Sequence, residues 1–549
     1  MPITKLKFKP GIVSDITAES NEGGYIDGNK VRFRFGFPEK IGGWTKYTTS
    51  TFEGSARRLH NWVTLDGADL LGIGTNLKYY IEEGEGFNDI TPIRATTSAG
   101  DVTFSATNGS TTITVSDPAH GANENDFVTF SGAVSLGGNI TAAILNKEYK
   151  IISVVSSNSY TVTSTIAANA SDTGNGGSSV VGAYQLNTGL DVTVGGTGWG
   201  AGQWSGTTSG ALATTLNEDL DAIETGVDVV DETGMTTEGD IVLIGNELML
   251  ITASADDNTL VVTRGHSGTT ATTHSNGSLV QLAVGNTLPT DDFVGWGSSA
   301  SITVPGAQIR LWSHDNFGED LLINIRDGAI YYWDRSGGVA ARAVNLVDVA
   351  GANNAPTIAK QVMVSDNSRH VIAFGTNTIG TAVQDPLLIR FSSSESLTDW
   401  APTPTNSAGD LRIGSGSTFV TAIETKREIV IFTDSTLHSM QFLGAPFSFG
   451  IQPLSTGITI MGPNAAVAVE DAIFWMGQDS FYLYEGGTKQ LPCMVKEKVF
   501  FDFDYGQKSK VYAAHNAEFS EVTWYYCSDT NSVANGGTGQ NNLYVTYNY

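Results

Sequence analysis

The chain of 549 residues has only two cysteines, Cys493 and Cys527, far apart and in no Cys-x-x-Cys spacing. This excludes a disulfide framework and a cysteine zinc site, and it predicts buried free thiols of the kind kept in a reducing cytoplasm. No apolar run reaches the roughly 18 residues that a membrane-spanning helix needs. The N-terminal stretch MPITKLKFKPG is basic but lacks the apolar segment of a signal peptide. Charged residues are few, at 16%, and one-sided: 30 Lys and Arg stand against 57 Asp and Glu, a net charge of -27. Tight nucleic-acid binding by phosphate neutralisation requires clustered cations, so that class is excluded. The eight histidines contain no His-Glu-x-x-His, and no Walker-type phosphate loop occurs. No catalytic, cofactor-binding or metal-ligating residue is therefore expected.

What the chain has in abundance is glycine, 63 residues, together with Thr, Ser and Val. That composition predicts an all-β protein rich in turns. Periodicity agrees. The stretch AIFWMGQDSFYLYEGG (472–487) alternates, turns at Gly477-Gln478-Asp479, and alternates again. The same plan returns in 321–338 around Asp327-Gly328, in 70–86 around Asn76, and in 428–444 around Asp434-Ser435. Unit centres at Ile323, Ile372, Ile431 and Ile473 are 49, 59 and 42 residues apart. Repeats of about 40–60 residues of β-structure are what propeller blades need, since a four-stranded blade cannot bury both faces alone. Phe474, Trp475, Phe481, Tyr482 and Tyr484 then fill the space between blades. A sugar-binding platform would use the same residue types, exposed.

The repeats fall in two blocks, 1–96 and 291–549, separated by a stretch poor in aromatics. Lys and Arg against Asp and Glu number 12 and 12 in residues 1–96, 3 and 19 in 97–290, and 15 and 26 in 291–549. The expected plan is a β-propeller main domain with two inserted small β-domains. Residues 97–182 form the first, with hairpins around Asn108-Gly109 and Ser157-Asn158. Residues 206–290 form the second. The segment 183–205 between them is read as propeller strand, because its Gly198-Trp199-Gly200 recurs as Gly295-Trp296-Gly297. One helix candidate exists, 211–226, with apolar residues every three or four positions. The run NNLYVTYNY (541–549) reads as a strand that either closes the ring near the N-terminus or continues beyond Tyr549.

Single chemical motifs are weak. In Gly265-His266-Ser267-Gly268-Thr269 the nucleophile elbow fails at its last glycine, which leaves a turn. His60 and His314 occupy similar frames, RLHNW and RLWSHDNF, and fit a structural role at the blade start. DFDYG (502–506) has too few oxygen ligands for a calcium loop. SSSESLTDW (392–400) lacks the glycine of a sialidase Asp-turn, and with 57 acids any glycosidase pair can be nominated.

An ordered set of frames carries more. NKVRFRFGFPEKIGGW (29–44), GTNLKYY (74–80), GWGAGQW (198–204), RLWSHDNFGEDLLINIRDGAIYYWD (310–334), SSSESLTDWAP (392–402), IVIFTDSTLHSMQFLGAPFSFG (429–450), GITIMGPNAAVAVEDAIFWMGQDSFYLYEGG (457–487) and EVTWYYCS (521–528) run in this order. Together they resemble the tail nozzle (tail tube) proteins of short-tailed bacteriophages. The segment 238–278 is similar to small β-modules of phage structural proteins. The resemblance implies a β-propeller with inserted domains, six copies in a ring below the portal and adaptor, and DNA leaving through the channel. It supplies no catalytic residues. The expectation is a non-enzymatic virion protein of the tail, assembled in the host cytoplasm. Its implied partners are its own copies in a hexamer, an adaptor or portal-proximal ring, and tail fibre, spike or tip proteins. Duplex DNA would pass without sequence-specific binding, and the host envelope is a further contact. Carboxylates facing the lumen would keep DNA from adhering. The basic residues Lys5, Lys7, Lys9, Lys30, Arg32 and Arg34 are read either as a contact with an acidic neighbour or as edge-strand protection. The alternative reading is a carbohydrate-active or receptor-binding propeller at the virion tip.

Overall fold

The computed structural model describes residues 8–17, 19–169, 175–192, 213–233, 235, 238–245, 247–255, 258–266, 269–284, 309–444 and 447–549. Two compact units divide the chain: Met1–Thr193 with Pro305–Tyr549, and Val194–Val304.

In the first unit the repeated hairpins become six antiparallel sheets, five of four strands and one of three. Blade 1 is Ala56–Val63, Asp69–Thr75, Tyr79–Glu83 and Gly86–Asp89. Blade 2 spans 312–345, blade 3 361–412, blade 4 419–456 and blade 5 466–490, each with its strands in sequence order. Blade 6 has Tyr512–Asn516, Glu521–Tyr526 and Leu543–Asn548. The first strands of adjoining blades lie side by side, Ala56–Val63 with Trp312–Phe317 and Trp312–Phe317 with Gln361–Val364. This is a β-propeller.

The core of the ring is a series of apolar slabs between neighbouring blades. Trp62, Tyr79 and Ile81 of blade 1 pack with Trp312, Ile323 and Trp333 of blade 2. Val362 and Val371 of blade 3 meet Leu322 and Ile330 of blade 2 on one face. On the other face, Ile372 and Phe374 meet Phe419 and Ile431 of blade 4. Phe432 of blade 4, Trp475 of blade 5 and Trp524 of blade 6 share a further cluster. Alternation of side chains along a strand sends successive residues to opposite slabs, which is why both faces of each blade must be apolar. Close approach makes some glycines obligatory. A Cβ at Gly74 would stand 2.5 Å from the Trp312 ring, and one at Gly477 2.6 Å from the Tyr482 ring.

The join between blade 6 and blade 1 is polar instead. Arg57 donates to the Gln540 side chain at 3.0 Å and to the Asp191 carbonyl at 2.7 Å, and it pairs with the Asp191 carboxylate. Gln540 donates back to Asp191 at 2.8 Å, and Lys510 donates to the Gly539 carbonyl at 2.6 Å.

Between blades 1 and 2 the chain builds a seven-stranded sheet from Ile93–Thr96 to Val181–Gln185. Its first and last strands in sequence overrun the expected limits of 97 and 182. Tyr184 and Gln185, expected in the propeller, belong to this sheet, because Tyr184 pairs with Val128 and closes the sheet's own core. The sheet is tied to the ring by an ion cluster. Lys78 of blade 1 pairs with Glu148 and, at 3.1 Å, with Asp89, while Arg342 of blade 2 reaches Asp89 at 3.0 Å.

The second unit contains a six-stranded sheet with a core of Leu216, Val227, Met249, Ile251 and their neighbours. Over the described residues 213–226 of the helix candidate 211–226, no helix forms. Ala213–Thr215 is a strand paired with Leu279–Val284. The β-branched Thr214 and Thr215 favour that pairing. The Asp221 carboxylate then accepts the amides of Ile223 and Glu224, a local turn that competes with helical bonding. The Gly-Trp-Gly pair at 198–200 and 295–297 lies outside the described residues.

Candidate functional site

The residues singled out in the sequence are mostly built into the frame. Trp475, Phe474, Phe481 and Tyr484 are buried, Trp475 edge-on to Phe432 with ring centres 5.3 Å apart and Phe481 4.8 Å from Trp524. Tyr482 is half-buried and stacks on Trp475. These rings hold blade to blade, as expected of packing residues. Cys527 is buried and Cys493 half-buried, and both are free. Among the described residues no group of His, Cys, Asp and Glu is arranged to hold a metal. Asp504 of DFDYG accepts the Gly506 amide at 2.9 Å and so caps a short 3-10 turn. Asp399 of SSSESLTDW holds Asn406.

Arg264 of RGHSGT is a clamp. It donates to both oxygens of Glu247, at 2.7 and 2.9 Å, and to the carbonyls of Asp221, Glu224 and Thr272. Burial works to raise the Glu247 carboxyl. The Arg264 guanidinium, the Thr272 amide, His274 and the Gly265 amide outweigh it and hold the group at about 2. Ser267 lies outside the described residues.

Two places remain where polar or apolar groups are concentrated without an evident frame role. The first is the inner rim of the ring. His60 and His314 come together with ring centres 5.0 Å apart, and the Tyr79 hydroxyl bonds His314 Nδ1 at 2.7 Å. Burial holds both imidazoles below their ordinary range, helped by Arg58 nearby. Asp315, next in sequence, is pushed by burial up to about 7, against the amides of Val364 and Asn316 that it accepts at 2.9 Å each. Glu424 is raised by burial too, while Ser365 Oγ and the Asp366 amide bond it at 3.0 and 3.1 Å. A cavity of about 280 Å³ beside them is lined by Asn316, Glu319, Ser365, Asp366 and Arg369. Chemically, a carboxyl near 7 can give or take a proton at neutral pH. Here both carboxyls are also tied to backbone amides of blade 3, so they fasten blades 2 and 4 to it.

Side chains also link blades that are not neighbours. Arg326 of blade 2 donates to the Val420 and Phe419 carbonyls of blade 4 at 2.9 and 3.2 Å. Arg58 of blade 1 donates to Asn464, just ahead of blade 5, at 3.1 Å.

The second place is the N-terminal arm. Val31–Arg34 and Phe37–Lys40 pair as an isolated hairpin, turned by Phe35 and Gly36 with φ of 51° and 85°. Arg32 anchors it with a forked bond to Glu521, at 3.1 and 3.2 Å, and lies over the Phe519 ring. Of the two readings of Arg32, acidic contact and edge-strand protection, the structure shows an acidic contact within the same chain. Beyond that anchor, Phe35, Phe37, Trp44 and Tyr47 are 74 to 90% exposed. Sequence reasoning had no means to single out these rings, nor Asp315 and Glu424. Their residue types are common, and only their surroundings distinguish them.

The sheet order defines a propeller protein of six described blades carrying inserted β-modules. No protein-family model matches the chain, and no curated protein matches it significantly. Solved structures resemble it distantly. The AfRom2 CNH domain is 12% identical over 40% of this chain and 65% of its own, with a TM-score of 0.24. PorZ of Porphyromonas gingivalis, a surface component of a type-IX secretion system, is 10% identical over 86% of this chain and 67% of its own, at 0.26. The endosialidase of phage phi92 is 10% identical over 89% of this chain and 55% of its own, at 0.17. Likenesses of this order carry no functional argument.

Proposed function

We propose that the chain is a structural virion protein, one subunit of a ring-shaped, hexameric tail nozzle of a short-tailed phage. The ring would form the channel for DNA ejection and a platform for tail fibre or tip proteins. The observation that carries this reading is the ordered set of nozzle-like frames. Those within the described residues fall in turn on the N-terminal arm and on blades 1 to 6. The motif rings are committed to packing, which suits a rigid ring rather than a binding platform. Carboxylates on the surfaces that face the lumen would repel phosphates.

The test is localisation. Antibody to this chain, applied to particles from an infected-cell lysate and imaged by electron microscopy, is expected to cluster at the distal tail. Particles without label, with the chain free in solution, would overturn the reading. The carbohydrate-active or receptor-binding propeller would then be the reading to test. It would be tested by release of reducing sugar from host capsule or lipopolysaccharide.

A further inference from the structure

A two-stranded hairpin has little stability of its own in water. This one and the segment that follows it also display four large aromatic side chains: Phe35 is 90% exposed, Trp44 88%, and Phe37 and Tyr47 74% each. Exposed apolar patches of this kind mark surfaces that another molecule covers. The surrounding charge is positive. Lys30, Arg34, Lys40 and Lys46 are exposed on or beside the hairpin, with Glu39 as its one carboxylate. The chain as a whole carries -27, so its own surface is the opposite sign.

The matching half is present on the same chain. A groove of about 700 Å³ runs between the turn at 478–479 and the helix Lys496–Phe501. Three carboxylates line it, Asp15, Asp479 and Glu497, with Phe501 and Tyr505 as its aromatic wall. Phe501 is 92% exposed and Tyr505 48%. Two lysines line it as well, Lys496 and Lys498, of which Lys498 is paired with Asp27 at 2.7 Å. The root of the arm is fastened along this groove, since the Ser14 amide donates to the Met494 carbonyl at 2.9 Å. The tip is not seated there, as its exposure shows.

We propose that the hairpin tip Phe35-Gly36-Phe37 of one copy docks in the Asp15, Asp479, Glu497 and Phe501 groove of a second copy. Phe35 and Phe37 lie against Phe501 and Tyr505, while Arg34 and Lys40 face the carboxylates. Tip and groove are different surfaces, so the contact is heterologous and repeats head to tail, closing into a ring if the rotation permits. This deepens the ring reading above by naming its interface. It is tested on the purified chain alone, so its failure and that of the virion reading are separable.

The experiment is sedimentation velocity of the full chain over about 0.1 to 50 µM, a range that spans moderate association. The wild type is expected to form concentration-dependent oligomers. The tip variant Phe35→Asn with Phe37→Ser, in which asparagine tolerates the left-handed turn, is expected to weaken assembly at least about 30-fold, as loss of a central aromatic anchor does. Thermal unfolding should be unchanged, because both rings are exposed. Reversing Arg34 and Lys40 to Glu, or Asp479 and Glu497 to Lys, should each weaken assembly, and the two together should restore it. A wild type that stays monomeric throughout, oligomers indifferent to the tip variant, or reversed charges that fail to rescue would each overturn the proposal.

Discussion

Replacing Glu247 by Gln removes the centre of the second unit's polar clamp. The carboxylate is fully buried and accepts from Arg264 at 2.7 and 2.9 Å, from the amides of Thr272 and Gly265 at 3.0 and 3.1 Å, and it bonds His274 at 2.9 Å. Glutamine keeps one acceptor oxygen and turns the other into a donor that faces donors. It also leaves the Arg264 guanidinium without its counter-charge. Holding the carboxyl at about 2 rather than the ordinary 4.5 corresponds to about 3 kcal/mol. Breaking a buried pair by removing one partner costs about 3–5 kcal/mol, which agrees. Hydrogen exchange of the full-length protein, read by mass spectrometry, separates this unit from the rest. Peptides over Glu247–Ala255 and Thr259–Thr263 should exchange roughly 100- to 3,000-fold faster in the variant, at about 1.4 kcal/mol per tenfold. Peptides over Ile429–Thr433 in blade 4 should not change. The pH dependence has a definite sign. The folded-state value is depressed, so this stabilisation is present in full above about 4.5 and disappears as pH falls toward about 2. The variant should lack that loss. An exchange rate altered by less than about threefold at pH 7 would refute the assignment of Arg264 and Glu247 as the clamp.

Asp315 should act in the opposite sense. Its folded-state value is raised from 3.8 to about 7, so wild-type stability should fall as pH rises from about 4 through 7. Denaturant unfolding of Asp315→Asn should show that slope removed whatever the variant's constant cost, and a slope retained in full would sink the inference. Trp475→Ala, at a site with no exposed surface between Phe432 and Tyr482, should cost about 3–5 kcal/mol in the same assay. A cost under about 1 kcal/mol would mean that the ring does not hold blades 4 and 5 together. Arg57→Ala should loosen the polar join. Exchange in Ala56–Val63 and Tyr512–Asn516 should rise about tenfold, as loss of a charged hydrogen-bond partner predicts, with blade 4 unaffected. Equal acceleration in all blades would show that the join opens only with the whole ring.

The hairpins were legible in advance because their determinants are local. Period-2 alternation of Val, Ile and aromatic residues marks a strand, and Asp327-Gly328 or Gly477-Gln478-Asp479 marks its turn. The strands Asp320–Ile325 with Ile330–Trp333, and Ala472–Met476 with Phe481–Tyr484, lie where those signals put them. Where local signals compete, tertiary pairing decides. Leu216 and Leu220 have helical spacing, yet Leu216 bridges Val229 and Leu220 bridges His274, and both enter a β-sheet core.

Burial is the property that sequence alone left open. Phe37 lies on a strand as Phe481 does, but its hairpin is held to blade 6 through Arg32, whereas blade 5 has a blade packed on each side. The same holds for charge. Asp315 and Asp334 are both blade 2 aspartates, and only Asp315 is enclosed by blade 3, which displaces its carboxyl. The residues determined an all-β chain of repeated hairpins with interruptions. The ring decided which of their faces meet a neighbour, that its final join is polar, and that arginines link blades that are not adjacent. Those outcomes depend on contacts between segments hundreds of residues apart, which no local spacing encodes.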